Sequence, residues 1–333
     1  MAETFAPPLS ALGWRGKFKS DSTEVEVLRR RLQTHAGIDG AEGQIVDPAA
    51  RYPEGFAARA AAQFHRDGYV VVAKCLDEQR LTNIKSGCEN VIREMVALDP
   101  LSAGSRGSHR YTFGSAPAHF GQQAAWAALI DPPVTLAVVQ AIFGDGYWTA
   151  SSTSGGDFVL PGCVDYQHLH ADGQMDPTTG EHARDWRLAP NHGGYHDSSG
   201  STHFRDLPCP MLTVNYPMEL APGSVTGHSR INGATRQIPG THRSRALIPS
   251  LEEEPLWMKM STVAPCPAGC GLFRDLRCWH GGTPNLSEHV RAIPSAGSYL
   301  APWYRPPGRV QRTLPYEIYT ALSPAGQVRH AVR

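Results

Sequence analysis

The sequence is short of lysine, of net charge and of long apolar segments. Its 333 residues include five lysines and 26 arginines, and the 31 basic side chains balance 31 acidic ones. Because nonspecific binding to nucleic acids depends on excess positive charge, we expect no nucleic-acid partner. No uncharged apolar run approaches the roughly 18 residues of a membrane helix, and the first residues lack the pattern of a secretory signal. We therefore expect no membrane partner and a cytoplasmic location.

Disulfide and zinc-binding patterns are also missing. The seven cysteines are odd in number and scattered, and Cys266 and Cys270 lack the spacing of a zinc knuckle or a redox pair. We predict that the thiols are free and reduced. Glycine (33 residues) and proline (27 residues) are plentiful, which favours many turns and short strands. A hydrophobic content of 41% is sufficient for a sizeable core.

The pattern of apolar residues changes along the chain. Helical spacing predominates up to Gly144, and the later segments are short and β-branched or alternating. The predicted helices are Phe56–Arg66, a helix capped by Asp77 that ends near Asp99, and a helix capped by Asp131 that stops at Gly144. The predicted strands are Tyr69–Ala73, Asp157–Leu160, Asp165–Ala171, Met211–Pro217, Ser261–Ala264, Gly271–Phe273 and Ala292–Ala301.

Helices followed by strands, without βαβ alternation, predict a mainly β fold with flanking helices on one face of an antiparallel core. We divide the chain into an N-terminal arm (1–55), one catalytic domain (56–310) and a C-terminal tail (306–333). Within the domain, residues 56–144 form the helical support and residues 145–305 form the β core. No internal repeat interrupts this organisation.

The most informative segment is Gln167-His-Leu-His-Ala-Asp172, at the end of a predicted strand. Alternate residues of a strand share a face, so His170 and Asp172 project together. His280, after the apolar segment Gly271–Phe273, is a candidate for a third ligand. Two imidazoles and one carboxylate that leave coordination positions open are typical of non-haem Fe(II) oxygenases. With fifteen histidines in the chain, however, a His-x-Asp pair alone arises readily by chance.

Arg291 follows His280 by eleven residues and lies in a predicted strand. A buried guanidinium at this place is suited to bind the distal carboxylate of a dicarboxylic acid in a bidentate manner. The alternative interpretation is an arginine on the surface of an edge strand.

Taken together, these residues resemble the phytanoyl-CoA dioxygenase family of Fe(II)- and 2-oxoglutarate-dependent oxygenases, particularly its natural-product branch. The resemblance covers roughly residues 60–300. The matching segments occur in family order: FHRDGYVVV (64–72), HRYTFG (109–114), QHLHAD (167–172), NGATRQIPGTHR (232–243) and WHGGTPN (279–285), followed by Arg291.

The resemblance implies a double-stranded β-helix of the jelly-roll or cupin type. It makes His170, Asp172 and His280 the iron ligands and Arg291 the partner of the 2-oxoglutarate C5 carboxylate. Two further residues, Gln167 and Thr235, match positions that contact this co-substrate, although strict strand parity points Gln167 away from His170. Tyr111 and Phe113 match positions that often line the substrate pocket, and we weigh this role equally against a place in the core.

The implied reaction is oxidation of a C–H bond in a small-molecule metabolite of secondary metabolism, with O2 as the other co-substrate and release of succinate and CO2. Hydroxylation is the default outcome, and desaturation or cyclisation is also open. Because halogenating relatives replace the carboxylate of Asp172 with a small residue, halogenation is not expected. The substrate is not identified, and a homodimer is a possible assembly.

Two other functions compete with this one. A cupin-type metalloenzyme that does not use 2-oxoglutarate has no need of a buried cation at Arg291, and a catalytically silent binding protein is expected to have lost part of the triad. A separate hypothesis concerns the long segment between Asp172 and Met211, which is rich in histidine. A loop of this length in a compact domain is often functional, and we interpret it as a lid over the metal site.

Overall fold

The computed structural model describes residues 45–115, 120–151, 155–172, 184–185, 199, 202–218, 220, 227–229, 231–255, 258–259, 266–305 and 314–328. The predicted arm therefore lies outside the described residues up to position 44. The same holds for the predicted strand Ser261–Ala264 and for most of the segment between Asp172 and Met211 that we interpret as a lid. Within the described residues, no helix has the length and apolar character needed to cross a membrane.

Six α-helices are present in the described part of the chain, four of them before the β core. They are α1 (Phe56–Asp67), α2 (Glu78–Leu98), α3 (Phe120–Ala127), α4 (Pro133–Phe143), α5 (Tyr316–Ala321) and α6 (Pro324–Gln327). The signals for α2 act as predicted, since the Asp77 carboxylate accepts a hydrogen bond from the Arg80 amide and the helix stops before Asp99. Helix α1 ends at Gly68, whose left-handed φ of 83° favours glycine.

Eleven strands form three sheets in the same residues. The strands are β1 (Ile45–Val46), β2 (Tyr69–Val72), β3 (Arg110–Thr112), β4 (Trp148–Ser151), β5 (Gly156–Val159), β6 (Met211–Asn215), β7 (Thr235–Gln237), β8 (Gly271–Asp275), β9 (His280–Gly282), β10 (Arg291–Pro294) and β11 (Gly297–Leu300). The large sheet has the order β1-β2-β8-β6-β11-β4, the second β10-β5-β3, and the third pairs β7 with β9. Only the β1–β2 pairing is parallel among the described strands.

Side chains alternate between the two faces of each strand, so that one face packs in the core and the other faces a cavity. On β8, Phe273 is buried in the main hydrophobic core together with residues of the helices, whereas Arg274 lines the cavity on the other face. On β5, Phe158 joins the same core and Asp157 lines the cavity. The cavity is therefore bounded by side chains of both the six-stranded and the three-stranded sheet. The prediction of sheets with helices packed against them is confirmed.

Three local predictions differ from the structure. Residues 163–169 belong to no regular element, so the predicted strand Asp165–Ala171 is reduced to an isolated bridge at His170. The predicted strand Ala292–Ala301 is two strands, because the chain passes from one sheet to the other between β10 and β11.

The third difference concerns the start of α4, where Pro132 rather than Asp131 is the N-cap. The buried Asp131 carboxylate instead accepts hydrogen bonds from Arg80 Nη1 at 3.1 Å and from the Ser323 amide at 2.7 Å. Asp131 therefore ties the C-terminal segment to the helical layer. Leu314 and Leu322 of that segment are buried in the main core, so the described part of the predicted tail packs on the domain.

Candidate metal centre

His170 and His280 come together through the backbone, although 110 positions separate them. The two residues form an antiparallel bridge in which each amide donates to the other's carbonyl at 3.0 Å. Directly opposed residues in an antiparallel pair project to the same side, so the bridge aligns the two imidazoles. Their ring centroids are 4.2 Å apart. The amide of Asp172 donates to the Leu276 carbonyl at 2.8 Å, which holds the carboxylate beside the two rings.

The three side chains converge on one position. Asp172 Oδ1 lies 4.0 Å from His170 Nε2 and 3.6 Å from His280 Nε2. One potential ligand atom from each residue lies within 4.8 Å of the others, so the group can hold a metal ion. Two imidazoles and a carboxylate form a donor set that suits iron and leaves coordination positions open on the cavity side.

Backbone carbonyls orient both imidazoles for this role. His170 Nδ1 lies 3.1 Å from the His168 carbonyl and His280 Nδ1 lies 2.9 Å from the Cys278 carbonyl. A carbonyl only accepts, so each Nδ1 carries the proton in the neutral ring and each Nε2 keeps its lone pair. This arrangement is how metal-binding histidines are usually fixed by their second contacts.

Electrostatics favour the charge states that bind metal. Burial lowers the pKa of His280, with a further contribution from Arg274, so the ring is neutral at neutral pH. Burial alone raises the pKa of Asp172, but Arg274 and the neighbouring histidines outweigh it and hold the pKa well below its ordinary value. The site therefore combines a neutral imidazole with an ionised carboxylate.

Arg274 is the direct neighbour of this triad. Its Nη1 donates to Asp172 Oδ2 at 2.5 Å and lies 3.2 Å from His280 Nδ1. The residue is only 6% exposed, and its Nε has no hydrogen-bond partner in the described part of the chain. Arg274 thus occupies one oxygen of Asp172 and leaves the other directed at the histidines.

A buried ion pair braces the loop that carries His170. Arg236 on β7 makes a two-pronged contact with Glu254, at 2.7 and 3.0 Å, and both side chains are fully buried. The same guanidinium donates to the Gln167 carbonyl at 2.7 Å and lies over the Tyr166 ring. These contacts replace the strand pairing that residues 163–169 lack.

The triad opens into a cavity of about 580 Å³ between the sheets. Arg291 lines it and is 1% exposed, and its Nη2 donates to the Gly233 carbonyl. Its Nε and Nη1 have no partner among the described residues, and burial, followed by the charge of Arg110, lowers the pKa of Arg291 to about 9. Two N–H groups of a buried cation are therefore available for an acidic ligand.

Arg110 lies beside Arg291, since both residues pair with Val159 from opposite sides of β5. Arg110 Nη2 donates to the carbonyls of Thr283 at 3.0 Å and Asp165 at 3.2 Å. The close approach of the Arg110 side chain explains why residue 282 is a glycine, since a Cβ there would lie 1.9 Å from Arg110 Nη1. The cavity therefore has two adjacent guanidinium groups on the three-stranded sheet.

The other residues predicted to contact a co-substrate also line the cavity. Thr235 pairs with Gly282 across β7 and β9, and Gln167 Oε1 accepts a hydrogen bond from the Gly282 amide at 3.1 Å. The parity objection to Gln167 does not apply, because this segment is not a regular strand. The structure therefore brings Gln167, Thr235 and Arg291 to the cavity that holds the triad.

Tyr111 and Phe113 lie in the core. Tyr111 stacks on Phe158 with ring centroids 4.7 Å apart, and Phe113 contacts both Phe158 and Trp126. Neither residue is among the described residues that line the cavity. The alternation in β3 instead points Arg110 and Thr112 into it.

Sequence reasoning missed three cavity arginines, Arg106, Arg110 and Arg274, although a signal was present for the two that lie in strands. Arg110 precedes Tyr111, and a strand that buries the tyrosine in the core necessarily directs the arginine to the opposite face. Arg274 follows Phe273 in β8 and is placed in the same way. In both cases, a charged residue next to a buried aromatic within a strand marks the functional face.

Comparisons with known proteins complete the description. A scan of protein families finds no matching family, and a search of curated proteins finds no match. Solved structures similar to this chain include the α-ketoglutarate-dependent carbocyclase SnoK from nogalamycin biosynthesis, with 16% identity over 75% of this chain and 87% of SnoK and a TM-score of 0.45. The epimerase SnoN, solved with Fe3+, α-ketoglutarate and nogalamycin RO, has 17% identity over 76% and 87% of the chains and a TM-score of 0.46.

EctD from S. alaskensis, solved with 2-oxoglutarate and 5-hydroxyectoine, has 17% identity over 86% of this chain and 92% of EctD, with a TM-score of 0.49.

Proposed function

We propose that this protein is a non-haem Fe(II)- and 2-oxoglutarate-dependent oxygenase of the phytanoyl-CoA dioxygenase type, which oxidises a C–H bond of a small molecule. The proposal includes the finer fold assignment, in which the two larger sheets are the halves of a double-stranded β-helix. Hydroxylation is the default outcome, with desaturation or cyclisation as variants of the same chemistry.

One observation carries the proposal: a complete metal-binding triad and an unsatisfied buried arginine share a cavity. His170, Asp172 and His280 provide the donor set for a ferrous ion. Arg291 has two N–H groups without a partner among the described residues, and a buried donor without an acceptor is costly. A dicarboxylic acid such as 2-oxoglutarate would suit both sites, with one end on a metal ion held by the triad and its distal carboxylate on Arg291.

Each residue then has a defined task. The carbonyls of His168 and Cys278 keep the two imidazoles in the tautomer that binds metal, and Asp172 binds through Oδ1. Arg291 holds the C5 carboxylate of 2-oxoglutarate, assisted by Arg110, while Gln167 and Thr235 flank the co-substrate. With both groups bound, iron and 2-oxoglutarate provide the activation of O2 that removes hydrogen from the substrate, with release of succinate and CO2. The chain itself orients the reactants and limits the access of water.

The same observations disfavour the competing functions. A cupin-type enzyme that does not use 2-oxoglutarate gives no reason for an unsatisfied guanidinium at Arg291. A silent binding protein gives no reason to retain three converging ligands together with the carbonyls that fix their tautomers. Support for the oxygenase comes from the combination, since neither feature is sufficient alone.

The test is a turnover assay on the purified full chain. Protein freed of metal with a chelator is reconstituted anaerobically with Fe(II) and 2-oxoglutarate and is then exposed to O2, and succinate is quantified with and without a library of metabolites. We expect succinate formation that requires both iron and 2-oxoglutarate and that one or more metabolites stimulate.

His168→Ala is a matched control, because it removes a nearby imidazole and keeps the carbonyl that orients His170. We expect His168→Ala to form succinate and His170→Ala to form none. If wild-type protein loaded with iron neither binds nor consumes 2-oxoglutarate, the proposed function is wrong.

A further inference from the structure

We propose that the substrate is a small, polar oxyanion, a carboxylate or a phosphate ester, and that Arg274 binds its acidic group beside the metal. This inference deepens the proposed function and rests on it. The observations that carry it are the charge of the cavity, the loss of counter-charge that metal binding at Asp172 imposes on Arg274, and the residues on the cavity wall.

The cavity keeps a net positive charge after the metal and the co-substrate are counted. Four arginines line it, namely Arg106, Arg110, Arg274 and Arg291, against the carboxylates of Asp157 and Asp172. A ferrous ion adds two positive charges and the 2-oxoglutarate dianion removes two, so an excess of two formal charges remains. Without Arg106, which is exposed, the excess is still one. A neutral substrate would leave this charge uncompensated in a largely buried site.

Metal binding weakens the present ion pair of Arg274. Its Nη1 donates to Asp172 Oδ2, and its other side-chain contact is the metal-binding residue His280. When a divalent ion binds Oδ1 of Asp172, the metal and the carboxylate together carry a positive charge, so Asp172 no longer neutralises the guanidinium. A buried cation without a counter-charge is destabilising. A further anion beside the metal would restore the balance, and Arg291 with Arg110 already accounts for the distal carboxylate of the co-substrate.

Arg274 has hydrogen-bond donors to spare for that anion. Its Nη1 makes the contact with Asp172, and its buried Nε has no partner in the described part of the chain. A carboxylate or phosphate that accepts from the Nε side of the guanidinium makes the two-pronged contact for which arginine is suited.

The wall around Arg274 is also polar. Across the large sheet, Arg274 is directly opposite Thr213, which is opposite Ser298, and all three residues line the cavity. No Phe, Tyr or Trp is among the described residues of the lining, whose larger apolar members are Met211, Leu276 and Ile293. Sites for flat or hydrophobic ligands are lined mainly by apolar and aromatic side chains. The described lining is therefore suited to a hydrophilic molecule.

The position of Arg274 also limits the place of reaction. Since its guanidinium contacts two of the three metal ligands, an acidic group bound there lies next to the metal. The C–H bond that is oxidised must then be separated from the acidic group of the substrate by only a few bonds.

The experiment uses paramagnetic relaxation with two simple probes. The full chain is loaded under argon with Mn(II), which accepts the same nitrogen and oxygen ligands, and with saturating 2-oxoglutarate. The ³¹P relaxation of inorganic phosphate and the ¹³C relaxation of labelled acetate are then measured, and the 2-oxoglutarate protons serve as an internal reporter of the co-substrate site. Mn(II) affinity is determined separately for each variant, so that the metal is saturated throughout.

We expect enhanced relaxation of at least one probe in the wild type. The enhancement should persist in Arg93→Gln, a control on the exposed face of α2, should fall at least tenfold in Arg274→Gln, and should remain partly in Arg274→Lys. The probe that responds distinguishes a phosphate from a carboxylate substrate.

Other results overturn the inference. If Mn(II) enhances the relaxation of the 2-oxoglutarate protons but of neither probe, the cavity has no second oxyanion site, although the proposed function stands. If the probe response is unchanged in Arg274→Gln, the anion binds elsewhere or directly to the metal. If Arg274→Gln instead lowers the affinity for 2-oxoglutarate tenfold, Arg274 binds the co-substrate and not the substrate. If Mn(II) does not relax 2-oxoglutarate at all, the proposed function itself fails and the inference fails with it.

Discussion

Asp172 is shared between the metal triad and Arg274, with one carboxylate oxygen directed to each. Oδ2 of Asp172 receives the Arg274 Nη1 hydrogen bond at 2.5 Å, and Oδ1 lies 3.6 Å from His280 Nε2. The pairing orients the carboxylate so that one oxygen is offered to a metal ion. Arg274 thereby links the metal site to the wall of the cavity.

The first prediction concerns the triad. Replacement of His170, Asp172 or His280 with alanine should weaken Fe(II) binding by more than about 100-fold, because loss of even an outer-shell partner costs 10- to 100-fold. Isothermal titration with Fe(II) under argon measures the affinity. The Tm of metal-free His170→Ala and His280→Ala should stay within a few degrees of the wild type, since neither residue belongs to the hydrophobic core clusters. Asp172→Ala should lower the Tm further, because it leaves the buried Arg274 without its ion pair. Wild-type affinity in any one variant would remove that residue from the site.

The second prediction concerns Arg291. Arg291→Ala should raise the KM for 2-oxoglutarate roughly 10- to 100-fold, because the bound carboxylate loses a charge-assisted contact of about 1.5–3 kcal/mol. Steady-state succinate release at varied 2-oxoglutarate measures the effect. Arg93→Gln, which removes an exposed arginine from α2, should leave this KM unchanged. An unaltered KM in Arg291→Ala would assign the co-substrate carboxylate to another residue.

The third prediction concerns the pH dependence of stability. Asp275 and Arg277 form a buried two-pronged ion pair at 2.9 and 2.7 Å. Burial opposes ionisation of Asp275, but Arg277 outweighs it and lowers the pKa below the ordinary value of 3.8. A depressed carboxyl pKa stabilises the fold above pH 3.8, and this contribution is lost as the pH falls through the pKa of the folded state.

Asp275→Asn should therefore lower the free energy of unfolding by about 3–5 kcal/mol at neutral pH, because a buried Arg277 is left unpaired. The difference from the wild type should shrink below pH 3.8. Urea unfolding at pH 7, 5 and 3 measures it, with Asp47→Asn, at an exposed ion pair, as the control that should change little. A difference that stays constant over this range would contradict the predicted linkage.

The fourth prediction tests whether Phe113 belongs to the core or to the substrate pocket. Phe113 is fully buried, and its ring lies 5.0 Å from Trp126 and 5.1 Å from Phe158. Phe113→Ala should cost about 3–5 kcal/mol of stability through the cavity that it creates. The KM values of the folded variant should remain those of the wild type. A raised KM for the organic substrate without loss of stability would show that Phe113 lines the substrate pocket.

Local signals predicted three of the six described helices, α1, α2 and α4, because the information for a helix lies within a few residues. The Asp77 cap and the stop before Pro100 define α2, and apolar spacing buries Ile84, Cys88 and Ile92 in the main core. The same rules failed at α4, where Asp131 has the residue type of a cap but bonds to Arg80 and Ser323. Contacts that are distant along the chain outweighed a local preference of about 1 kcal/mol.

Strand patterns were informative about faces but not about partners. The run Ala292–Ala301 reads as one strand, yet the chain leaves one sheet for the other after Pro294. The segment Asp165–Ala171 reads as a strand, yet Arg236 and the His170–His280 bridge hold it without regular pairing. Hydrophobic alternation reports burial, whereas the identity of the neighbouring strand depends on the rest of the fold.

The sequence by itself determined the chemistry that is available: a His-x-Asp pair, a later histidine and an arginine eleven residues beyond it, in a neutral chain with seven scattered cysteines. Only the tertiary structure decided that these groups meet, through a backbone bridge between residues 110 positions apart, and that Arg110 and Arg274 face the same cavity while Tyr111 and Phe113 do not. The reason is physical. Residue type sets what a side chain can bind, but distance and orientation depend on strand pairing and register, which are fixed by contacts between remote parts of the chain.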